Sequence, residues 1–205
     1  TLTALRINEA IAKDLTVVLV PSLTLLSQTL NDWLKDRLKH FNWLAVCSDD
    51  SVTNDPQDNS RLIDFDFPAT TDQKQISRFL EGPKSKVVFS TYHSSPILLA
   101  ALKKSKQKVN LLICDEAHRL AGKTGRDFGS FLDPEAPVAK RLFMTATPRV
   151  FSPQIKKMLE SSDMQVLSMD DREVFGSVFF NYSFAQAIKD KILTDYRVVI
   201  VGIGS

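Results

Sequence analysis

Leu111-Leu112-Ile113-Cys114 is an uninterrupted apolar run that ends on two adjacent carboxylates, Asp115 and Glu116, followed by Ala117 and His118. A short run with no polar alternation reads as a strand buried on both faces, and such strands belong to parallel sheets covered by helices. In open α/β sheets ligands bind beyond the carboxyl ends of the strands. The run therefore predicts a doubly wound, mostly parallel α/β sheet with helices on both faces, and it delivers the acid pair to the working rim. A phosphate-bound Mg²⁺ needs a hard oxygen ligand and an attacking water needs a carboxylate to orient it; neighbouring acids can divide those jobs.

The rest of the chain supplies the layers. Thr1 to Lys13 carries Leu2, Leu5, Ile7, Ala10 and Ile11 at near-helical spacing, with no capping signal before it. Val17 to Val20 reads as a buried strand, and Pro21-Ser22 turns it into a helix expected to run to about His40. Trp43 to Cys47 is the next apolar run, and Lys86 to Tyr92 is another strand, ending in Ser90, Thr91 and Tyr92. Helices are expected from Asp72 to Leu80, Ser94 to Lys104, Pro153 to Glu160 and Phe184 to Lys191. Further strands are expected at Lys140 to Met144, Gln165 to Met169, Val178 to Tyr182 and Tyr196 to Ile203. Two stretches read as loops: the acidic Ser48 to Asp72 segment, which would repel a phosphate backbone, and the glycine-containing Arg119 to Pro137 segment, expected to be mobile.

Composition narrows the class. With 205 residues and 43% hydrophobic content the chain can bury a full core. A net charge of +2 leaves any nucleic-acid binding to local groups rather than a global basic field. Cys47 and Cys114 are the only cysteines, and Cys114 lies inside the buried strand, which suits a reducing cytoplasm rather than a disulfide framework. No apolar run is long enough to cross a membrane, so a soluble protein is expected.

Four blocks in fixed order carry a family resemblance. Asp115-Glu116-Ala117-His118 resembles the DEAH form of the Walker B motif, and Thr145-Ala146-Thr147-Pro148 looks like motif III. Val17 to Leu30 is similar to motif Ia, and Val87-Val88-Phe89-Ser90-Thr91-Tyr92 to the Ser-Thr-Tyr block that precedes Walker B. Together they resemble the first RecA-like domain of a superfamily-two helicase or translocase. The Cys47-Ser48-Asp49, Thr70-Thr71-Asp72 and Asp115-to-Arg119 segments look most like the helicase domain of type I and III restriction enzymes and their single-polypeptide relatives.

The resemblance implies roles. ATP and Mg²⁺ are the implied cofactors, with Asp115 holding the metal and Glu116 activating water, while His118, Thr145 and Thr147 couple nucleotide state to movement. Thr1 resembles the last residue of a Gly-x-Gly-Lys-Thr phosphate loop and would add a hydroxyl to metal and nucleotide. Pro21, Ser22, Ser90, Thr91 and Tyr92 would meet the nucleic-acid backbone, with duplex DNA the favoured track. Residues 1–205 would then be a first RecA-like ATPase domain that lacks its phosphate loop, borders a second RecA-like domain of the same polypeptide, and is inactive alone. Gly122-Lys123-Thr124 mimics a phosphate loop but lacks the glycine five positions earlier, where Ala117 stands. Two other readings stay open: a non-catalytic RecA-like nucleic-acid-binding or interaction domain, and an unrelated nucleotide-binding or flavodoxin-like domain whose acids merely bind a metal.

Overall fold

The computed structural model describes residues 2–48, 68–122, 129–160 and 167–195. The chain separates into two compact units, Thr1–Phe175 and Gly176–Ser205. In the first unit the chain runs α1 (Leu2–Ile11), β1 (Leu15–Val20), α2 (Leu23–Asp36), β2 (Asn42–Val46), α3 (Gln73–Glu81) and β3 (Lys86–Thr91). It continues through α4 (Ser95–Lys104), β4 (Leu111–Cys114), β5 (Arg141–Phe143), α5 (Pro153–Glu160) and α6 (Arg172–Phe175).

The five strands form one sheet in the order β2-β3-β1-β4-β5, and every pairing is parallel. Leu15 lies opposite Lys86, Thr16 opposite Leu111, and Leu112 opposite Arg141. All six residues of β1 and all four of β4 are buried, which is why neither shows polar alternation. Successive side chains still point to opposite faces. Leu15, Val17 and Leu19 pack with Ile76 and Leu80 of α3 and Leu98 and Leu102 of α4. Val18 and Val20 pack instead with Leu5 of α1 and Leu23, Leu26, Leu30 and Trp33 of α2. Helices thus cover both faces, and each fully buried aliphatic side chain contributes about 1.5–3 kcal/mol.

Local signals set most of the element starts. The Ser22 hydroxyl accepts from the Leu25 N–H at 3.3 Å, and the Asp72 carboxylate accepts from the Lys74 N–H at 2.8 Å, so both act as N-caps. At the outer edge of β2, Ala69 bridges Ala45, and the Thr70 N–H donates to the Ala45 carbonyl at 3.0 Å. That contact shields one of the exposed edges of the sheet.

Several boundaries differ from the expected ones. Helix α2 stops at Asp36 instead of reaching His40, because Arg37 takes an extended conformation and the next two N–H groups, of Leu38 and Lys39, are captured by the Glu9 carboxylate of α1. In the Arg119 to Pro137 stretch the described residues are anchored rather than loose. They form short 3₁₀ turns at Ala117–Leu120 and Ser130–Leu132, and Phe131 is 1% exposed. Arg141 donates to the carbonyls of Phe131 and Asp133 at 3.2 and 3.1 Å, holding that segment down. Of the strand expected at Gln165 to Met169, the described part forms only a single bridge, Leu167 to Gly122. The short helix α6 was not expected; Asp171 starts it by accepting from the Glu173 N–H at 3.0 Å. In the second unit α7 (Phe184–Lys189) begins on a Ser183 cap, but Val178 to Tyr182 forms no strand. Val178, Phe179 and Phe180 are each more than 70% exposed, and no ladder partner stands beside them among the described residues. Thr1, most of the acidic segment, Lys123-Thr124 and the strand expected from Tyr196 lie outside the described residues.

Glu9 ties α1 to the α2–β2 turn and gives a testable acid sensitivity. Burial would raise its pKa, but the Leu38 N–H, the Arg6 guanidinium and the Lys39 N–H outweigh burial and hold it below the ordinary 4.5. A carboxylate depressed in the folded state contributes stability that is present above 4.5 and lost as pH falls through the lower folded value. Glu9→Gln is expected to lower the urea midpoint at neutral pH. The gap from the parent should close as the pH is taken below 4.5, and a gap that persists unchanged in acid would contradict the assignment.

Candidate active site

Because every strand is parallel, the residues that follow β1, β3, β4 and β5 all emerge on one rim. The acid pair follows β4. The Asp115 N–H donates to the Leu19 carbonyl of β1 at 2.9 Å, continuing the ladder by one residue. The Asp115 carboxylate accepts from the Glu116 N–H at 3.0 Å. Glu116 then adopts the left-handed conformation, φ 49° and ψ 45°. For a residue with a Cβ this conformation costs roughly 1–2 kcal/mol, and such strain gathers where the position of a side chain matters. The Ala117 N–H closes the turn on the Met144 carbonyl at 2.9 Å, and Met144 in turn donates to Cys114 at 2.9 Å.

These bonds lock the acid turn to the segment after β5, where Thr145 and Thr147 stand. His118 Nδ1 lies 2.9 Å from the Thr145 hydroxyl, 3.2 Å from a Glu116 carboxylate oxygen and 3.4 Å from the Thr147 hydroxyl. The Thr147 N–H donates to the Thr145 hydroxyl at 3.1 Å. One imidazole nitrogen thus faces Glu116 and both threonines, so a change at Glu116 alters what His118 offers the threonines. Glu116, His118, Thr145 and Thr147 thus stand together as one polar cluster.

The other expected residues fall into two sets. Pro21 and Ser22 lie at the rim after β1, partly exposed, with the Ser22 hydroxyl committed to its cap. Ser90, Thr91 and Tyr92 are not surface groups: they are 0%, 0% and 1% exposed. Ser90 donates to the Thr91 carbonyl at 3.1 Å, and the Thr91 hydroxyl accepts from the Ser94 N–H at 3.3 Å. Tyr92 donates its phenol proton to the Asp115 carbonyl at 2.6 Å. Burial above all pushes the Tyr92 pKa well above its ordinary value, so the phenol stays a donor. Beneath it, burial raises the Cys114 thiol to about 12, which leaves it neutral and without nucleophilic use. At a strand end, sequence alternation cannot tell an inward ring from an outward one, so the burial of Tyr92 left no mark to read.

Gly122, the described residue of the false phosphate loop, has a structural job. Gly122, at φ +100°, donates to the Leu167 carbonyl at 2.7 Å. A Cβ there would sit 3.6 Å from the Arg149 guanidinium, which itself reaches the Ala121 carbonyl at 3.5 Å. Among the described residues no group of three His, Cys, Asp or Glu side chains converges as a metal cage. Asp115 fits a Mg²⁺ that keeps most of its ligands from phosphate and water, which is how this cation is commonly held.

An all-parallel sheet that brings an acid pair, a histidine and a Thr-Ala-Thr-Pro turn to one rim defines a RecA-like domain of the superfamily-two helicase kind. The chain belongs to the family described as Type III restriction enzyme, res subunit, whose model matches residues 1–150. It is 32% identical over 184 residues to a probable helicase of African swine fever virus from a South African tick isolate, covering 89% of this chain and 18% of the relative. Among solved structures it resembles the Type ISP restriction-modification enzyme LlaBIII bound to DNA, with a TM-score of 0.75 and 33% identity over 95% of this chain and 14% of that one. A nuclease-deletion mutant of LlaGI, also Type ISP and in complex with a DNA substrate mimic, gives 0.71 and 32% over 95% and 15%. The chain therefore spans less than a fifth of the length of these relatives.

Proposed function

We propose that this domain is the ATP-handling half of a nucleic-acid-dependent ATPase, a helicase or double-stranded DNA translocase of a restriction-type system. The observation that carries the reading is the Glu116–His118–Thr145–Thr147 cluster, because it joins a carboxylate on a strained backbone to the hydroxyls of a neighbouring strand end through one imidazole nitrogen. Bound Mg²⁺ and ATP would supply the reactive phosphoryl group and neutralise its charge. Asp115 would hold the cation through its water shell, and Thr1 would add a hydroxyl. Glu116 would orient the attacking water and take its proton. When Glu116 turns to that water, its contact with His118 would change, and Thr145 and Thr147 would register the change.

The same reading assigns nucleic acid as partner, with DNA favoured because the two restriction enzymes of similar fold were solved with DNA or a DNA mimic, and duplex DNA is the track that a restriction-type system implies. Pro21 and Ser22 are the rim positions proposed to meet the backbone, while Ser90 and Thr91 shape that rim from beneath. A second RecA-like domain of the same polypeptide would complete the nucleotide site, in the cytoplasm. No described helix is long and apolar enough to cross a membrane.

The test is ATP hydrolysis by the full polypeptide that carries this domain, with duplex DNA, single-stranded DNA and RNA added in turn. Duplex DNA is expected to stimulate most. Stimulation by RNA alone would reject the DNA track while keeping the activity, and no stimulation by any of the three would favour the non-catalytic alternative.

A further inference from the structure

We infer that Tyr92 is a positioning residue for the acid pair, linking the rim after β1 to the conformation of Glu116. The inference rests on the ATPase reading above and extends it to a residue whose position had suggested a nucleic-acid contact. Two hydrogen bonds and a buried ring carry it. The Tyr92 N–H donates to the Val20 carbonyl at 3.0 Å, immediately before Pro21 and Ser22. Its ring is 1% exposed and packs in the core with Leu19 and Cys114. Its hydroxyl donates to the Asp115 carbonyl at 2.6 Å.

That carbonyl belongs to the peptide unit joining Asp115 to Glu116. The N–H of the same unit is held by the Asp115 carboxylate at 3.0 Å, so the plane is gripped at both ends. The orientation of this plane sets φ of Glu116, and the next N–H, of Ala117, is fixed on Met144. Glu116 therefore sits in its left-handed conformation between two pinned peptide units, one of them held from β3 by Tyr92. A displacement of the rim at Val20 and Pro21 acts on the Tyr92 backbone and reaches the Glu116 carboxylate through one rigid ring. The aromatic ring, with two torsions and no room to swing, transmits such a shift better than a flexible side chain would.

Tyr92→Phe keeps the ring and removes only the hydroxyl. In the full polypeptide it is expected to lower kcat at saturating duplex DNA roughly tenfold, while KM for ATP and the DNA concentration for half-maximal stimulation stay within about twofold. Ser105→Ala, which deletes a comparable hydroxyl-to-carbonyl bond at the far end of α4, is the control and should leave kcat within about twofold. A rise in the DNA concentration needed, with kcat unchanged, would make Tyr92 a track contact and overturn the proposal. A lower melting temperature with unchanged kcat would reduce it to a packing residue and overturn it equally. Glu116→Gln in the same preparation separates the layers. If that variant hydrolyses ATP normally, the ATPase reading falls and this inference with it; if it is inactive while Tyr92→Phe is not slowed, this inference alone falls.

Discussion

Glu116→Gln is expected to slow ATP hydrolysis by the full polypeptide at least ~100-fold, with nucleotide affinity and melting temperature little changed. The substitution keeps the shape of the side chain and the left-handed backbone cost, so the turn that Asp115, Tyr92 and Met144 hold should persist. What it removes is the charge and the ability to take a proton from water. It also exchanges an oxygen that only accepts for an amide that can donate toward His118 Nδ1, which forces the imidazole to renegotiate its bond with Thr145. Single-turnover hydrolysis measured beside equilibrium nucleotide binding distinguishes lost chemistry from lost binding. Hydrolysis within about threefold of the parent would mean that the acid turn is a structural element.

The largest loss of stability is expected from Trp33→Ala. Trp33 is fully buried in α2 and meets Phe41 and Phe89 edge-on, with ring centroids at 6.1 and 5.4 Å. It is the largest side chain between α2 and the sheet, so truncation empties a volume that a Leu-rich helix cannot refill. Such changes cost about 3–5 kcal/mol, against a total of about 5–15 kcal/mol for an ordinary domain. Urea denaturation should show the midpoint falling by roughly a fifth or more; a change below ~1 kcal/mol would show that α2 closes over the gap. The acid site lies at the strand ends rather than against this face, so the variant that remains folded should keep the Glu116 geometry.

Legibility in the sequence followed the range of the interactions involved. The strands at Val17, Lys86 and Leu111 were visible because full burial erases alternation, and the starts of α2 and α3 because Ser22 and Asp72 cap within three residues of themselves. The acid turn and the Thr-Ala-Thr-Pro segment were recognisable as motifs, and the structure brings His118, Thr145 and Thr147 together. What stayed hidden depended on distant partners. The end of α2 is decided by Glu9, 29 residues away from Leu38 in sequence. The inward turn of Tyr92 is decided by Asp115, 23 residues on. Val178 to Tyr182 has strand composition, but composition supplies no neighbouring strand, and among the described residues none stands beside it to form a ladder.

The central place of β1 has a consequence during synthesis. Leu15 waits for Lys86 and Thr16 waits for Leu111, so the strand leaves the ribosome well before either partner exists. At roughly 5–20 residues per second, the wait for β3 alone lasts on the order of several seconds. Throughout it the nascent chain displays Leu15-Thr16-Val17-Val18-Leu19-Val20, six residues with no charge, proline or glycine. That is the profile of a segment prone to stack with copies of itself. Slower accumulation, through cooler growth or a holding chaperone, should raise the yield of native protein more than any change at the rim, because the hazard belongs to a strand that the finished sheet hides completely.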